Sequence, residues 1–329
     1  MYMDERMTMR AGDSRWRLVR AALFAVLLPA LVLEAHADAP WSYTLEATEV
    51  APGVYAVLGS TEHFNLKNGG NIVNTGFVVG DTGVVVFDTG PSVRYGEALR
   101  ALIAKTAPGR PVELVLNSHH HPDHVFGNQA FADAPIGALA DTERMFEAQG
   151  EAFLDNLYRL LGPWMSGTEL VAPNSTLSPT RFELVGHEFE LFALAGHSEA
   201  DLALFDRTTG VLFCGDVCFN ARAPTTPNAR IDAWQTALKR VEAIGATVIV
   251  PGHGPIFSGS GPLQLNAAYL AWVHGFIAQQ VASGADMAEV MFAPIPERYQ
   301  TYDILREEFQ RSVMHLFPPE EQRLFEQGE

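Results

Sequence analysis

A dense cluster of histidine and aspartate residues follows a predicted strand at residues 112–116. The cluster contains, in order, His119, His120, His121, Pro122, Asp123 and His124. Alternate residues of an extended segment point the same way, so His119 and His121 can reach one common point. Asp123 and His124 follow the proline, where the chain turns, and can face a second point. Imidazole and carboxylate groups together suit zinc, and also manganese or iron.

Three further residues of ligand type follow predicted strands in the second half of the chain. His197, Asp216 and His253 each stand beside a glycine, directly after a run of β-branched and aromatic residues. Glycine allows tight turns and a close approach of the backbone to a bound group. Active sites gather at the carboxyl ends of strands in α/β folds. Each residue alone is better explained as an ordinary loop residue, but together with the dense cluster they predict a metal centre.

Strand patterns alternate with helical patterns along the rest of the chain. The predicted strands are residues 54–58, 72–79, 84–87, 112–116, 182–184, 188–194, 202–205, 211–214 and 247–250. Apolar residues recur at helical spacing in three segments, 95–103, 153–161 and 234–244. Strands that lead into helices in two similar halves predict an α/β layered domain.

The N-terminus has the pattern of a secretory signal peptide. Four arginines between residues 10 and 20 precede an apolar run at 21–33, which is too short to span a bilayer comfortably. Small residues at Ala35 and Ala37 predict cleavage after Ala37, with an uncleaved membrane anchor as the alternative. We therefore predict an exported, periplasmic protein with a single domain over residues 38–329, of which 262–329 is mostly helical.

Composition and charge exclude several classes of protein. A hydrophobic fraction of 47% with 19% charged residues excludes extended disorder. The formal net charge of −17 argues against nucleic acid as a partner, and against membrane contact once the signal peptide is removed. Two cysteines cannot form a disulfide scaffold. Cys214 and Cys218 can pair in an oxidising compartment, although their spacing leaves that pairing open.

The ligand pattern resembles that of the metallo-β-lactamase fold superfamily of metallohydrolases. The resemblance covers essentially the whole chain after residue 37, from the strand at Val54 through His253. The resemblance implies an αββα sandwich made of two similar halves. The ligands that it implies for one metal ion are His119, His121 and His197. The ligands that it implies for a second ion are Asp123, His124 and His253. Asp216 would bridge the two ions, and Asp88 matches an aspartate that orients a metal-binding histidine in the family.

Two segments, residues 59–64 and 68–76, carry a narrower resemblance. Their amino-acid sequences are similar to those of exported zinc metallohydrolases found alongside quinoprotein dehydrogenase systems. These enzymes are relatives of a sulfur-oxidation-associated metallohydrolase. This resemblance implies two zinc ions per chain, with iron or manganese as alternatives. It also implies a functional link to a quinoprotein dehydrogenase.

The resemblance implies hydrolysis of a small ester, thioester, lactam or phosphoester. Two metal ions lower the pKa of water enough to supply hydroxide near neutral pH. Asp123, besides binding metal, would orient the attacking water or move its proton. A bridging carboxylate at Asp216 is more similar to the thioesterase and phosphodiesterase branches than to true β-lactamases. The acidic chain disfavours the nucleic-acid-processing branches, and export disfavours the hydroxyacyl-glutathione hydrolases.

One alternative function remains open, and three further residues are not assigned to the metal centre. The alternative hypothesis is a metal-bearing carrier of a quinone cofactor or sulfur species that performs no turnover. His120 should point away from its two neighbouring ligands, and His63 is expected at the surface rather than at the mouth of a pocket. Arg222 follows Asp216 closely, but only its position suggests contact with a substrate.

Overall fold

In the computed structural model, which describes residues 41–327, the first half of the chain forms a seven-stranded sheet. Its strands, which lie in chain order across the sheet, are β1 (Ala47–Ala51), β2 (Val54–Val57), β3 (Thr75–Val79), β4 (Val84–Phe87), β5 (Val112–Leu116), β6 (Ile136–Leu139) and β7 (Ser175–Leu177). Strands β1 to β4 pair antiparallel, and β4 to β7 pair parallel. The predicted signal peptide at residues 1–37 lies outside the described residues, so its cleavage stays a prediction.

The second half forms a five-stranded sheet with the order β12-β11-β10-β9-β8. Its strands are β8 (Arg181–Leu184), β9 (His187–Leu194), β10 (Asp201–Asp206), β11 (Val211–Phe213) and β12 (Val248–Val250). Strands β8 to β11 pair antiparallel, whereas β12 pairs parallel with β11. The carboxyl ends of β11 and β12 therefore lie side by side.

Helices occupy the connections and the C-terminal part. They are α1 (Val93–Thr106), α2 (Pro122–Val125), α3 (Ala140–Leu161), α4 (Ile231–Ile244), α5 (Gly261–Ala282), α6 (Met287–Met291) and α7 (Leu305–Gln327). Short 3-10 turns lie at Asn128–Phe131, Gly162–Met165, Gly215–Val217 and Glu297–Tyr299. Between residues 41 and 327, no helix has both the length and the apolar composition needed to cross a bilayer.

Three apolar cores stack the elements into the order helix, sheet, sheet, helix. Between the sheets, the rings of Phe87 and Phe213 stack with centroids 5.5 Å apart. Leu99 of α1 packs on the outer face of the first sheet. Trp234 of α4 and Leu212 of the second sheet belong to one buried apolar cluster, which also contains residues of α5 and α7. Burial of such side chains contributes about 1.5–3 kcal/mol each, so the layers are held by apolar contact.

The sequence patterns predicted most of the strands correctly. The differences between prediction and structure lie mainly at the edges of the first sheet. The predicted strand at 72–79 begins only at Thr75, because Ile72 lies in a loop and its carbonyl accepts a hydrogen bond from His253. Strands β1 and β7 are half-exposed edge strands, and β6 carries the sequence IGAL, which has little β-branched character. Pairing with neighbouring strands, rather than local propensity, establishes these elements.

Candidate metal centre

Four side chains at the ends of three strands form the first candidate site. They are His119 and His121 after β5, His197 after β9, and Asp216 after β11. Nε2 of His197 lies 2.9 Å from Nδ1 of His121 and 3.1 Å from Oδ2 of Asp216. The same Asp216 oxygen lies 3.9 Å from Nε2 of His119. The structure thus brings together the three histidines predicted for one ion and the predicted bridging carboxylate.

Three side chains form the second candidate site. Asp123 and His124 lie on α2, which starts at the proline of the cluster, and His253 follows β12. Nε2 of His253 lies 3.4 Å from Oδ2 of Asp123, and that oxygen lies 3.8 Å from Nε2 of His124. All three side chains are buried. The turn that Pro122 begins redirects the chain from the first site to the second.

Asp216 lies between the two sites. Its Oδ2 faces the first site, where it approaches His197, as given above. Its Oδ1 faces the second site, 3.2 Å from Nε2 of His124 and 3.3 Å from Nε2 of His253. One carboxylate therefore offers one oxygen to each group, which is the geometry that a bridging ligand requires.

The donor atoms fit metal ions. A tetrahedral zinc ion with bonds of about 2.1 Å separates its ligand atoms by about 3.4 Å, and the separations given above run from 2.9 to 3.9 Å. Within residues 41–327, Nε2 of His119, Nε2 of His124 and Oδ1 of Asp216 are buried without a hydrogen-bond partner. Buried polar atoms in native proteins normally have partners, so these unpartnered atoms, all aimed at the candidate sites, indicate metal ligation.

Hydrogen bonds on the far side of the rings orient the histidines. Nδ1 of His124 lies 2.7 Å from Oδ2 of Asp88, and Nδ1 of His253 lies 2.6 Å from the carbonyl oxygen of Ile72. A ring that donates through Nδ1 keeps the lone pair on Nε2 available for a metal. Asp88 is held by Ser118, whose backbone N–H and hydroxyl both donate to it at 2.7 and 2.8 Å. Asp88 thus lies behind His124, a predicted metal ligand, which is the placement that the family resemblance implied.

Burial and the carboxylates determine the charges of the protein without metal. Burial lowers the pKa of His197 to about 4, and burial with neighbouring histidines lowers the pKa of His119 and His121 well below the ordinary value. These rings are therefore neutral, which is the form that binds metal. Burial also opposes the charged form of His124, but Asp216 and two other carboxylates raise its pKa well above the ordinary value. The carboxylates thus attract a cation to the second site.

Comparison with known proteins identifies the family. The family model described as the metallo-beta-lactamase superfamily matches residues 68–253, more than half of the chain. The chain belongs to the metallo-β-lactamase superfamily. All seven residues of the two candidate sites lie within the matched segment. The predicted superfamily is therefore confirmed.

Individual relatives support the fold and the enzyme class. The chain is 27% identical over 230 residues to the probable metallo-hydrolase YqjP of Bacillus subtilis (strain 168), a match that covers 56% of this chain and 71% of that protein. It is 21% identical over 281 residues to the linear primary-alkylsulfatase of Pseudomonas sp. (strain ATCC 19151), a match that covers 71% of this chain but only 52% of that protein. The metallo-beta-lactamase from Pontibacter korlensis superposes with a TM-score of 0.56 at 22% identity, covering 69% of this chain and 99% of that one.

These findings confirm two predictions. The two sheets with outer helices match the predicted αββα fold, and the helices after residue 261 are additions to the segment that the superfamily model matches. Superfamily membership and the likeness to a probable metallo-hydrolase make the chain a metal-dependent hydrolase.

Glycine is required at two positions next to the candidate sites, because neighbouring protein atoms occupy the place of a Cβ. A Cβ on Gly252 would lie 2.0 Å from Oδ1 of Asp216, and a Cβ on Gly196, where φ is +149°, would lie 2.2 Å from Cα of Trp234. Real Cβ atoms do not approach other atoms this closely, so any larger residue displaces Asp216 or the backbone before His197. These glycines permit a close approach to protein atoms, while the expected approach of the backbone to a bound group stays a prediction.

Several supporting residues were missed by the sequence patterns. Asn74 donates through Nδ2 to the carbonyls of Pro251 and Gly254, at 2.9 and 2.7 Å, and so holds the loop that carries His253. Asp201 accepts a hydrogen bond from the backbone N–H of His197 at 3.1 Å, and burial raises the pKa of its carboxyl to about 7. Ser198 and Asp201 are spaced as in turns that a side-chain hydrogen bond closes, and this spacing could have indicated Asp201. No sequence pattern could have indicated Asn74.

A cavity of about 390 Å³ opens onto the two candidate sites. His121, Asp123, Asp216 and His253 form its metal-facing end. His63, which was expected at the surface, is a lining residue of this cavity, so that expectation was wrong.

Three residues close to predicted ligands in the sequence, His120, Cys214 and Cys218, belong to neither candidate site. His120 is buried beside Phe153 and belongs to neither site, as expected. Cys214 and Cys218 are both buried and free in this structure, with no disulfide between them.

Proposed function

We propose that this protein is an exported hydrolase that uses two zinc ions to cleave a small ester, thioester, lactam or phosphoester. The observation that carries the proposal is the pair of buried donor groups that share Asp216 and face one cavity. Zinc ions at such a site lower the pKa of water and polarise the oxygen of the scissile group. The residues that would hold the ions are His119, His121, Asp123, His124, His197, Asp216 and His253. Asp88 would keep His124 in the tautomer that leaves Nε2 free for the metal.

Asp123 is the residue that we assign to proton handling. Its carboxylate lies at the cavity wall, 6% exposed, beside His253. Hydrolysis adds the hydroxyl of water to the acyl or phosphoryl centre and a proton to the leaving group. A carboxylate in this position orients the water molecule and accepts its proton.

We also propose that this protein belongs with the exported zinc metallohydrolases that residues 59–64 and 68–76 resemble, and that it is functionally linked to a quinoprotein dehydrogenase. Both segments that carry this resemblance contact the site. His63 lines the cavity, the carbonyl of Ile72 accepts a hydrogen bond from His253, and Asn74 holds the loop that carries His253. The assignment to the exported metallohydrolases that accompany quinoprotein dehydrogenases rests on the sequence resemblance of these two segments, both of which contact the site. The signal-peptide pattern supports export to the periplasm, and a quinoprotein dehydrogenase encoded beside this protein would support the functional link.

Replacing Asp123 with alanine tests the proposed activity. We expect the zinc-loaded protein to hydrolyse at least one member of a panel of aryl esters, thioesters, lactams, phosphodiesters and alkyl sulfates, the last included because of the alkylsulfatase relative. Loss of a ligand of the second site together with loss of general acid–base assistance predicts a decrease in kcat/KM of at least about 10²- to 10⁴-fold in Asp123→Ala. Initial rates across the panel measure this effect.

The matched control is Asp133→Ala, which removes an exposed carboxylate that pairs with Arg100 on the surface. Such a pair contributes about 1 kcal/mol or less to stability, so activity should not change. Absence of hydrolysis across the panel, with retained binding of a quinone or sulfur compound, would favour the metal-bearing carrier instead.

A further inference from the structure

One side of helix α3 faces the cavity. Phe153, Leu157 and Leu160, which all line it, are spaced as residues on one face of a helix. The stripe that they form is about 10 Å long. Its inner end lies beside the first candidate site, because the rings of Phe153 and His121 have centroids 5.9 Å apart. At its outer end Leu160 is 44% exposed, so the apolar stripe runs from the metal-facing end of the cavity toward solvent.

The loop before β3 adds a further apolar side chain. Phe64 lines the cavity and packs against the same apolar cluster as Leu157. Nε1 of Trp164, which follows α3, donates a hydrogen bond to the carbonyl of Leu66 at 2.9 Å. A Cβ on Gly69 would lie 2.5 Å from the same indole ring, so the loop packs closely against it. The apolar wall is therefore formed before a substrate binds, which lowers the ordering cost of binding.

The charged side chains around the cavity compensate one another. Arg222 is opposed by three carboxylates, those of Glu308, Asp123 and Asp216. Arg311 donates through Nη1 to Oε1 of Glu308 at 2.8 Å. Two arginines against three carboxylates leave no excess of positive charge among these side chains, so they do not favour an anionic chain on the substrate. Apolar contact with α3 is the feature of the cavity that can select one.

We propose that the apolar wall of α3 and Phe64 binds an apolar acyl chain of the substrate, with the scissile carbonyl at the metal-facing end. This inference rests on the proposed hydrolase function and names the acyl group on which it acts. The hydroxyl of water adds to the carbonyl carbon, the bond to the leaving group breaks, and the leaving group takes the proton. The acyl chain stays unchanged on the wall throughout. Each methylene that leaves water for the wall should raise kcat/KM by up to about fourfold.

Two chromogenic esters with the same leaving group test the selection. We would measure kcat/KM for 4-nitrophenyl hexanoate and for 4-nitrophenyl acetate, using the zinc-loaded full chain. The four additional methylenes of the hexanoate predict a ratio of about 10 to 250 in its favour. A ratio near one would overturn the inference.

Two substitutions on α3 should change this ratio in opposite directions. Leu160→Asn makes the outer end of the wall polar and should lower the ratio about 3- to 10-fold, since about half of this side chain is available for contact. Asn156 is the polar residue within the stripe that also lines the cavity. Asn156→Leu should raise the ratio about 2- to 10-fold. Both positions are exposed, so both variants should fold.

The matched control is Leu324→Asn, which makes the same change at a leucine of α7 that is 41% exposed and does not line the cavity. It should leave the ratio at the wild-type value. A ratio that neither α3 variant changes would overturn the inference, because a purely structural role lowers kcat/KM for both esters alike.

Failure of the hydrolase proposal is distinguishable from failure of this inference. If the wild type hydrolyses neither ester, calorimetric titration of the zinc-loaded protein with hexanoate and with acetate decides the question of the apolar wall. The two ligands share a carboxylate and differ in the chain. At least tenfold tighter binding of hexanoate, with a smaller preference in Leu160→Asn, would support the wall without turnover. Equal affinities, or no binding of hexanoate, would overturn it.

Discussion

Replacing Asp216 with alanine is expected to remove metal from both candidate sites and to abolish hydrolysis. Its two oxygens lie 3.1 Å from His197 and 3.2 Å from His124, one facing each site. Loss of a residue behind a ligand already weakens metal binding about 10- to 100-fold, and loss of a shared ligand should exceed that at each site. Zinc titration with a competing chromophoric chelator, together with kcat/KM, measures the effect.

The control for Asp216→Ala is Asp206→Ala. Asp206 is also fully buried and pairs with a histidine, His187, at 2.9 Å, but it belongs to neither candidate site. This control should lower thermal stability while leaving the number of bound zinc ions unchanged. Two zinc ions bound with unchanged affinity in Asp216→Ala would contradict the bridging role.

Replacing Asp88 with asparagine is expected to weaken one site and spare the other. Asp88 accepts from Nδ1 of His124 at 2.7 Å and from the hydroxyl of Ser118 at 2.8 Å. An amide N–H in place of that oxygen donates to Nδ1 of His124 instead. The ring hydrogen then moves to Nε2, the atom that faces Asp216, and removes its lone pair from metal binding.

The expected result for Asp88→Asn is a zinc titration that resolves one tight and one weakened site. The weakened site, with Asp123, His124 and His253 as its protein ligands, should lose affinity about 10- to 100-fold. Asp206→Asn is the matched control, because it makes the same change beside His187, away from the centre. Equal weakening of both sites would indicate that Asp88 supports the fold rather than the tautomer of His124.

The spacing of the ligands could be predicted because it depends on local geometry. Strand β5 has the predicted bounds, and alternation beyond it places His119 and His121 on one side. The proline turn then carries Asp123 and His124 to the other site. Such periodicities act over a few residues, which is the range that sequence patterns describe well.

The walls of the cavity could not be predicted, because they depend on contacts between distant segments. Arg222 and Arg311 lie far apart in the sequence, with most of the C-terminal helices between them. Only the packing of α7 brings both side chains to one cavity. His63 lines the cavity instead of lying at the surface, beside Glu308 from the far end of the chain. No local pattern in residues 59–64 contains that contact.

The number of metal ions bound per chain decides whether the two donor groups form a two-ion centre. Purified protein should be loaded with zinc, dialysed to remove loosely held metal, and analysed by elemental mass spectrometry against protein concentration. The two donor groups that share Asp216 predict about two zinc ions per wild-type chain, and fewer in Asp216→Ala. No bound zinc, iron or manganese after loading, or a content that Asp216→Ala leaves unchanged, would contradict a two-ion centre bridged by Asp216.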